Sequence, residues 1–157
     1  MHPMPIVTIE AAEDLLAVLE DFLDKSEGSF ALIIDRGGSI LSQHGKIPDS
    51  TDTTTVAALA AGSFAATKEL ASRVGEEEFG ALYQQGAQTH ILMNAVDDDF
   101  VLVTVFGPKT TVGLVRFYSA RALARISTLI RELRSTAHMT PVFSERDVNE
   151  ATQIFGR

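Results

Sequence analysis

Apolar residues recur at helical spacing in three long stretches, with short continuous apolar runs between them. Thr8 is placed to cap a first helix over residues 9–25. Ala12, Leu15, Leu19, Phe22 and Leu23 share one face of it, and Glu10, Glu13, Asp14, Glu20, Asp21 and Asp24 make the other a solvated acidic face. Residues 30–34 form a short continuous apolar run rich in branched residues, the pattern of a strand buried on both faces. The turn Asp35-Arg36-Gly37-Gly38 returns the chain into a second, partly polar strand over 40–44. Asp52 then caps a helix reaching Val74, about 33 Å at 1.5 Å per residue, and Gly75 closes it. After a segment that tucks Phe79, Leu82 and Tyr83 against the helix end, the pattern predicts three strands in succession, over 90–96, 100–106 and 112–118. Ser119 reads as the cap of a third helix reaching about residue 135, with Leu123, Ile126, Ile130 and Leu133 inward and Arg121, Arg125, Arg131 and Arg134 outward.

Helix, two strands, helix, three strands, helix is the resulting order. Sequential hairpins imply an antiparallel sheet, and fully apolar inner strands imply helices on both of its faces. The expectation is an α+β fold, a three-layer α/β/α sandwich on a five-stranded antiparallel sheet. Residues 1–136 form its domain. Residues 137–157 follow as a tail, where Ser144 and Asp147 imitate a capping box before a short helix edged by Val148, Ala151, Ile154 and Phe155.

The second helix differs from the others. Val56, Leu59, Ser63, Ala66, Leu70 and Val74 recur at helical spacing and read as its core stripe. Its back should then be charged, yet Ala57, Ala58, Ala61, Gly62, Phe64 and Ala65 keep it small or apolar almost all round. A helix of that kind is buried on more than one side. In a chain this short the second cover is another chain, so the helix is expected to be a contact surface. The alternative is a central helix covered by its own domain, with alanines chosen for propensity and close packing.

Composition narrows the function by exclusion. A net charge of −8 and a pI of about 4.9 argue against a general phosphate-binding surface and hence against nucleic acid. Without cysteine there is no disulfide, zinc-thiolate site or thiol nucleophile. The first residues lack a basic segment followed by an apolar run, and no stretch has the length and apolarity of a membrane span, so a cytoplasmic chain is expected. His2, His44, His90 and His138 stand in no ligand spacing. Asp97, Asp98 and Asp99 read as a hairpin turn, since calcium-loop spacing is missing. Gly107-Pro108-Lys109-Thr110-Thr111 lacks the upstream glycine and following helix of a phosphate loop. Arg36 is either a solvated turn residue or a finger inserted into another protein's phosphate site. No cofactor, metal or catalytic residue is expected.

The stretches FALIIDRGGSILSQHG, DTTTVAALAAGSFAATKELA, GEEEF and VLVTVFGPKTTVGLVRFYSARA, with the tail PVFSERDVNEATQIFG, resemble the Roadblock family in its bacterial, MglB-like branch. The resemblance covers about residues 9–157. It implies a homodimer paired through the second helix and the neighbouring edge strand. It also implies a small Ras-like GTPase of the MglA type, in its GTP-bound state, docking across the paired helices. In that branch the dimer stimulates GTP hydrolysis by repositioning the GTPase's own residues, without inserting an arginine, in cell polarity or gliding motility. A cytoplasmic protein concentrated at a cell pole would follow. On this basis Ala58, Ala61, Ala65, Lys68, Glu69 and Ser72 are expected to meet the GTPase. Ala57, Phe64, Ile91 and Met93 are expected at the dimer interface, and Val148, Ile154 and Phe155 in a tail contact. Lys68 and Glu69 depart from the smaller, less charged surface usual in the branch. Two rivals remain: a Roadblock scaffold that binds a GTPase without activating it, and a small-ligand sensor, for which Asn94 and Thr104 are the obvious interior polar groups.

Overall fold

The computed structural model describes residues 7–139. Its elements are α1 (Ile9–Ser26), β1 (Phe30–Asp35), β2 (Ile40–Gly45), α2 (Thr53–Arg73), β3 (Ala81–Gln85), β4 (His90–Ala95), β5 (Phe100–Phe106) and α3 (Val112–Met139). The five strands form one antiparallel sheet in the order β2-β1-β5-β4-β3. β5 lies at its centre and is buried along its whole length, as an unbroken apolar run requires. The expected α+β sandwich is the fold observed.

Strand alternation divides the core in two. Ala31, Ile33, Leu92, Leu102 and Phe106 point to the side covered by α1 and α3, where Leu15, Leu19, Phe22, Ile126 and Ile130 meet them. Phe30, Leu32, Ile34, Met93, Val101, Val103 and Val105 point to the side covered by α2. Thr8 caps α1, its hydroxyl accepting the Ala11 N–H at 3.1 Å. Asp21 of α1 pairs with Lys25 at 3.1 Å and with Arg125 of α3 at 3.0 Å, in a half-exposed setting where such pairs add little stability.

Two elements differ from the sequence expectation. Residues 112–118 are the opening turns of α3, and the third strand of the run is instead β3. In α3 the buried positions Val115, Ser119, Ala122, Ile126 and Ile130 continue one helical period through the supposed boundary. The start lies at Thr111, whose hydroxyl accepts the Leu114 N–H at 3.3 Å. Ser119 is no cap: it is buried in the helix, and its hydroxyl donates to the Arg116 carbonyl at 2.9 Å. β3 closes a hairpin with β4, pairing Ala81 with Asn94 and Gln85 with His90. Because one strand replaces another, the order of helices and strands is unchanged.

Candidate functional site

Asp52 starts α2. One carboxylate oxygen accepts from the N–H groups of Thr54 (3.1 Å) and Thr55 (3.4 Å), and the other from the Thr55 hydroxyl (2.8 Å). The Thr55 hydroxyl, joined by these N–H groups, holds the carboxyl below its ordinary value. From this start α2 crosses its face of the sheet and buries only Ala57, Ala60, Ala61 and Phe64.

That contact reverses the expected orientation. Val56, Leu59, Ser63, Ala66, Leu70 and Val74 do not form the core stripe: Val56 is half-buried and the others are exposed, Leu59 at 66%, Leu70 at 63% and Val74 at 77%. The reason is closeness of approach. Alanines at the contact let the helix sit low on the sheet, and the β1–β2 turn rises to meet it. Gly38 there has a φ of +91°, and a Cβ on it would lie 2.8 Å from the Ala58 Cα. Phe64 is the one large side chain that α2 buries fully on this side, and Leu59 and Leu70 face outward.

Phe64 anchors α2. Its ring lies 5.1 Å from that of Phe79, and the Arg36 guanidinium stacks over it at 4.8 Å. Arg36 also donates through Nε to the Asp98 carbonyl at 3.0 Å and through Nη2 to the Asp97 carbonyl. It is thus not a solvated turn residue: its fork is engaged within its own chain. Burial lowers its pKa, against the attraction of Asp97, Asp98 and Asp99. The β4–β5 turn is gripped from the other end by Arg134, whose Nη1 reaches Asp97 at 2.7 Å and Nη2 reaches Asp99 at 2.6 Å. Arg134, expected outward, therefore turns in toward the sheet. Burial works to raise the Asp97 carboxyl, but the Arg134 hydrogen bond, the Asp99 and Phe100 N–H groups and the Arg134 charge hold it below its ordinary value.

The expected contact residues fall into two sets. Ala58, Ala65, Lys68, Glu69 and Ser72 are exposed on the outer side of α2, where Glu69 pairs with Arg73 at 2.8 Å. Ala61, expected with them, is only 6% exposed and faces the sheet. Ala57, Phe64 and Met93, expected at a dimer interface, are enclosed in the chain's own core, with Ile91 half-buried beside them. Ala57, Phe64 and Met93 lie on the side of α2 and β4 that the domain itself covers, whereas Ile91 keeps part of its surface exposed. Val148, Ile154 and Phe155 lie outside the described residues. The outer side of α2 therefore carries two parallel ridges: Ala58, Ala65, Lys68 and Ser72 on one, and Leu59, Ser63, Ala66 and Leu70 on the other. The second ridge was legible as a stripe but assigned to the wrong side.

Asn94 and Thr104 sit on the α1/α3 side of the sheet, Asn94 half-buried and Thr104 fully buried. A cleft of about 950 Å³ opens where α1, β2 and β5 end, but its lining includes Asp24, Glu27, His44, Lys46 and Lys109 and neither of these two. Among the described residues no helix is long and apolar enough to cross a membrane.

The sequence pattern of the Roadblock/LC7 domain matches residues 14–106. Among solved structures, the chain is similar to the gliding protein MglB of Thermus thermophilus, at 28% identity and a TM-score of 0.77, covering 84% of this chain and 99% of that one. An MglB structure with a tetrameric arrangement gives 27% identity and a TM-score of 0.78, over 85% and 99% of the two chains. MglB of Myxococcus xanthus gives 30% identity and a TM-score of 0.71, over 75% and 95%. With the same elements, the same sheet and a family pattern running from α1 to the end of β5, this chain belongs to the Roadblock/LC7 domain family.

Proposed function

We propose that this protein is a homodimeric regulator of a small Ras-like GTPase of the MglA type, acting on the GTP-bound form and stimulating hydrolysis. The observation that carries the reading is the outer side of α2, which leaves Leu59, Leu70 and Val74 uncovered beside a ridge of small residues. Contiguous exposed apolar surface of this kind marks a protein interface. The similarity to MglB supports this partner class.

The two ridges divide the work. The apolar one, Leu59–Ser63–Ala66–Leu70, pairs with the same ridge of a second copy, continued by the open edge of β3. The smaller and more polar one, Ala58–Ala65–Lys68–Ser72, meets the GTPase. Arg36 is tied to Phe64 and the β4–β5 turn, so hydrolysis is stimulated by positioning the GTPase's own groups. A role in bacterial polarity or motility, in the cytoplasm, follows from the partner.

Ala65→Arg places a long cation on the exposed GTPase ridge, where docking would desolvate it without a partner. It should leave melting unchanged and weaken binding by more than about 2 kcal/mol, roughly thirtyfold. Ala61→Arg, directed at the sheet, should instead lower the melting point. A single-turnover assay with a GTP-loaded MglA-type partner reads the activity. Wild-type stimulation by folded Ala65→Arg would refute the docking ridge. Binding without any rate change would favour the scaffold reading. Light scattering of a 17.0 kDa species at micromolar concentration would refute the dimer.

A further inference from the structure

α1 and α3 lie side by side on the face of the sheet opposite α2, and their outward surfaces carry opposite charge. On α1, Glu10, Glu13, Asp14, Glu20 and Asp24 are exposed, and none forms an ion pair with a described residue. On α3, the exposed Arg121 and Arg131 likewise form no ion pair with a described residue. Arg121 lies instead over the ring of Phe117, itself 59% exposed. The helices run antiparallel, with Phe22 and Tyr118 at one end of their seam and Asp14 and Thr128 at the other. Because both helices rise equally per residue, Glu20 stands level with Arg121, and Glu10 with Arg131. Midway, Ala17 stands level with Ala124, both exposed and small enough to let another helix approach closely.

We propose that this face binds a second copy of the chain about a two-fold axis along the seam, α1 of each copy lying over α3 of the other. Such an axis exchanges the acidic and basic stripes and keeps their levels. Glu20 of one copy then meets Arg121 of the other, and Glu10 meets Arg131, each pairing made twice by symmetry, while Ala17 comes over Ala124. A two-fold axis across the helices would set α1 on α1 and α3 on α3, like charge against like. The charges therefore select the register as well as the partner. A uniformly acidic or basic partner would match one stripe and be repelled by the other, whereas a second copy carries both at the same spacing. The net charge of −8 opposes approach at long range, but salt screens it beyond about 10 Å at 0.1 M, so the local match decides. The inference depends neither on the GTPase reading nor on pairing through α2, which covers the other side of the sheet.

Arg121→Glu combined with Arg131→Glu sets acid against acid at two exposed positions. Light scattering of the full chain at micromolar concentration and low salt should show the mass fall by half or more, with unchanged circular dichroism. Adding Glu10→Arg and Glu20→Arg exchanges the stripes and should restore the parental mass. Raising salt to about 0.5 M should lower the parental mass as the reversal does, because exposed pairs are screened. The chain has no cysteine, so a mixture of Ala17→Cys and Ala124→Cys chains reads the register directly. Mild oxidation should join unlike chains and leave like chains unjoined. This cross-link needs no change of charge, and it decides the matter if the reversed chain does not fold. A parental mass of 17.0 kDa would overturn the proposal and give the face to solvent or to another protein. A mass unchanged by the reversal, a loss that the exchange does not rescue, or cross-linking of like chains would overturn it too.

Discussion

Truncating Phe64 separates a core role from an interface role. Its side chain is 1% exposed, packed against Phe79 and capped by Arg36. Phe→Ala at a site of this kind costs about 3–5 kcal/mol, through lost transfer free energy and the cavity left behind. The lost stacking of the Arg36 cation accounts for about 0.5–1 kcal/mol of that. For a chain of this length each kcal/mol moves the melting point by roughly 2–4 °C, so Phe64→Ala should melt roughly 6–20 °C below the parent. Leu59→Ala is the contrast: at 66% exposure its effect on the fold should stay within about 0.5 kcal/mol. Thermal melts followed by far-ultraviolet circular dichroism at several protein concentrations provide the test. Stability contributed by assembly depends on concentration, whereas a core cavity is present at every concentration. A Phe64→Ala melting point that returns to the parental value at high concentration would refute the core assignment. A loss under about 2 °C at any concentration would refute it as well, since a cavity cost of about 3 kcal/mol exceeds that.

Asp97 should shape the acid limb of the stability profile. Its folded carboxyl lies below the ordinary value, so its contribution is present above the unfolded value of about 3.9 and is lost as pH falls through the folded one. Asp97→Asn should therefore lower the urea midpoint at neutral pH and flatten its fall in acid; an unchanged acid slope would contradict the Arg134 grip. Gly38→Ala meets both a φ of +91° and the Ala58 Cα at 2.8 Å, and should cost more than about 1 kcal/mol in urea unfolding. A neutral result there would mean that α2 does not sit as close to the β1–β2 turn as described.

Much of the fold was legible because period and burial agree. Residues 30–34 of β1 and most of β5 are apolar, and these are two of the three inner strands, buried on both faces. α1 carries an apolar stripe whose Leu15, Leu19, Phe22 and Leu23 are buried, while Ala12, expected with them, is exposed and Ala11 and Val18 are buried in its place. Residues 112–118 misled because a short run of branched and aromatic residues satisfies strand and helix alike, and only continuation of the period to Ile130 decides. β3 was hidden because an edge strand ending in Gln84 and Gln85 needs no apolar alternation. The rotation of α2 was not legible at all. With apolar residues all round, what orients the helix is the size of the side chains that fit under it, which depends on the turn at Gly38. The grip of Arg36 and Arg134 on the β4–β5 turn joins residues 35 to 62 positions apart, and no local pattern announces that.

The strand order has a consequence for how the chain comes together. Ala31 of β1 pairs with Thr104 of β5, and β5 in turn lies beside β4. β1 and β2 can form a hairpin early, and so can β3 and β4, but each leaves one long apolar edge open until the strand between them is made. Closing that gap brings together residues far apart along the chain, which is slow relative to making hairpins. During synthesis on a ribosome, the two halves would wait for β5, and that wait is the interval in which their edges are exposed to wrong pairing.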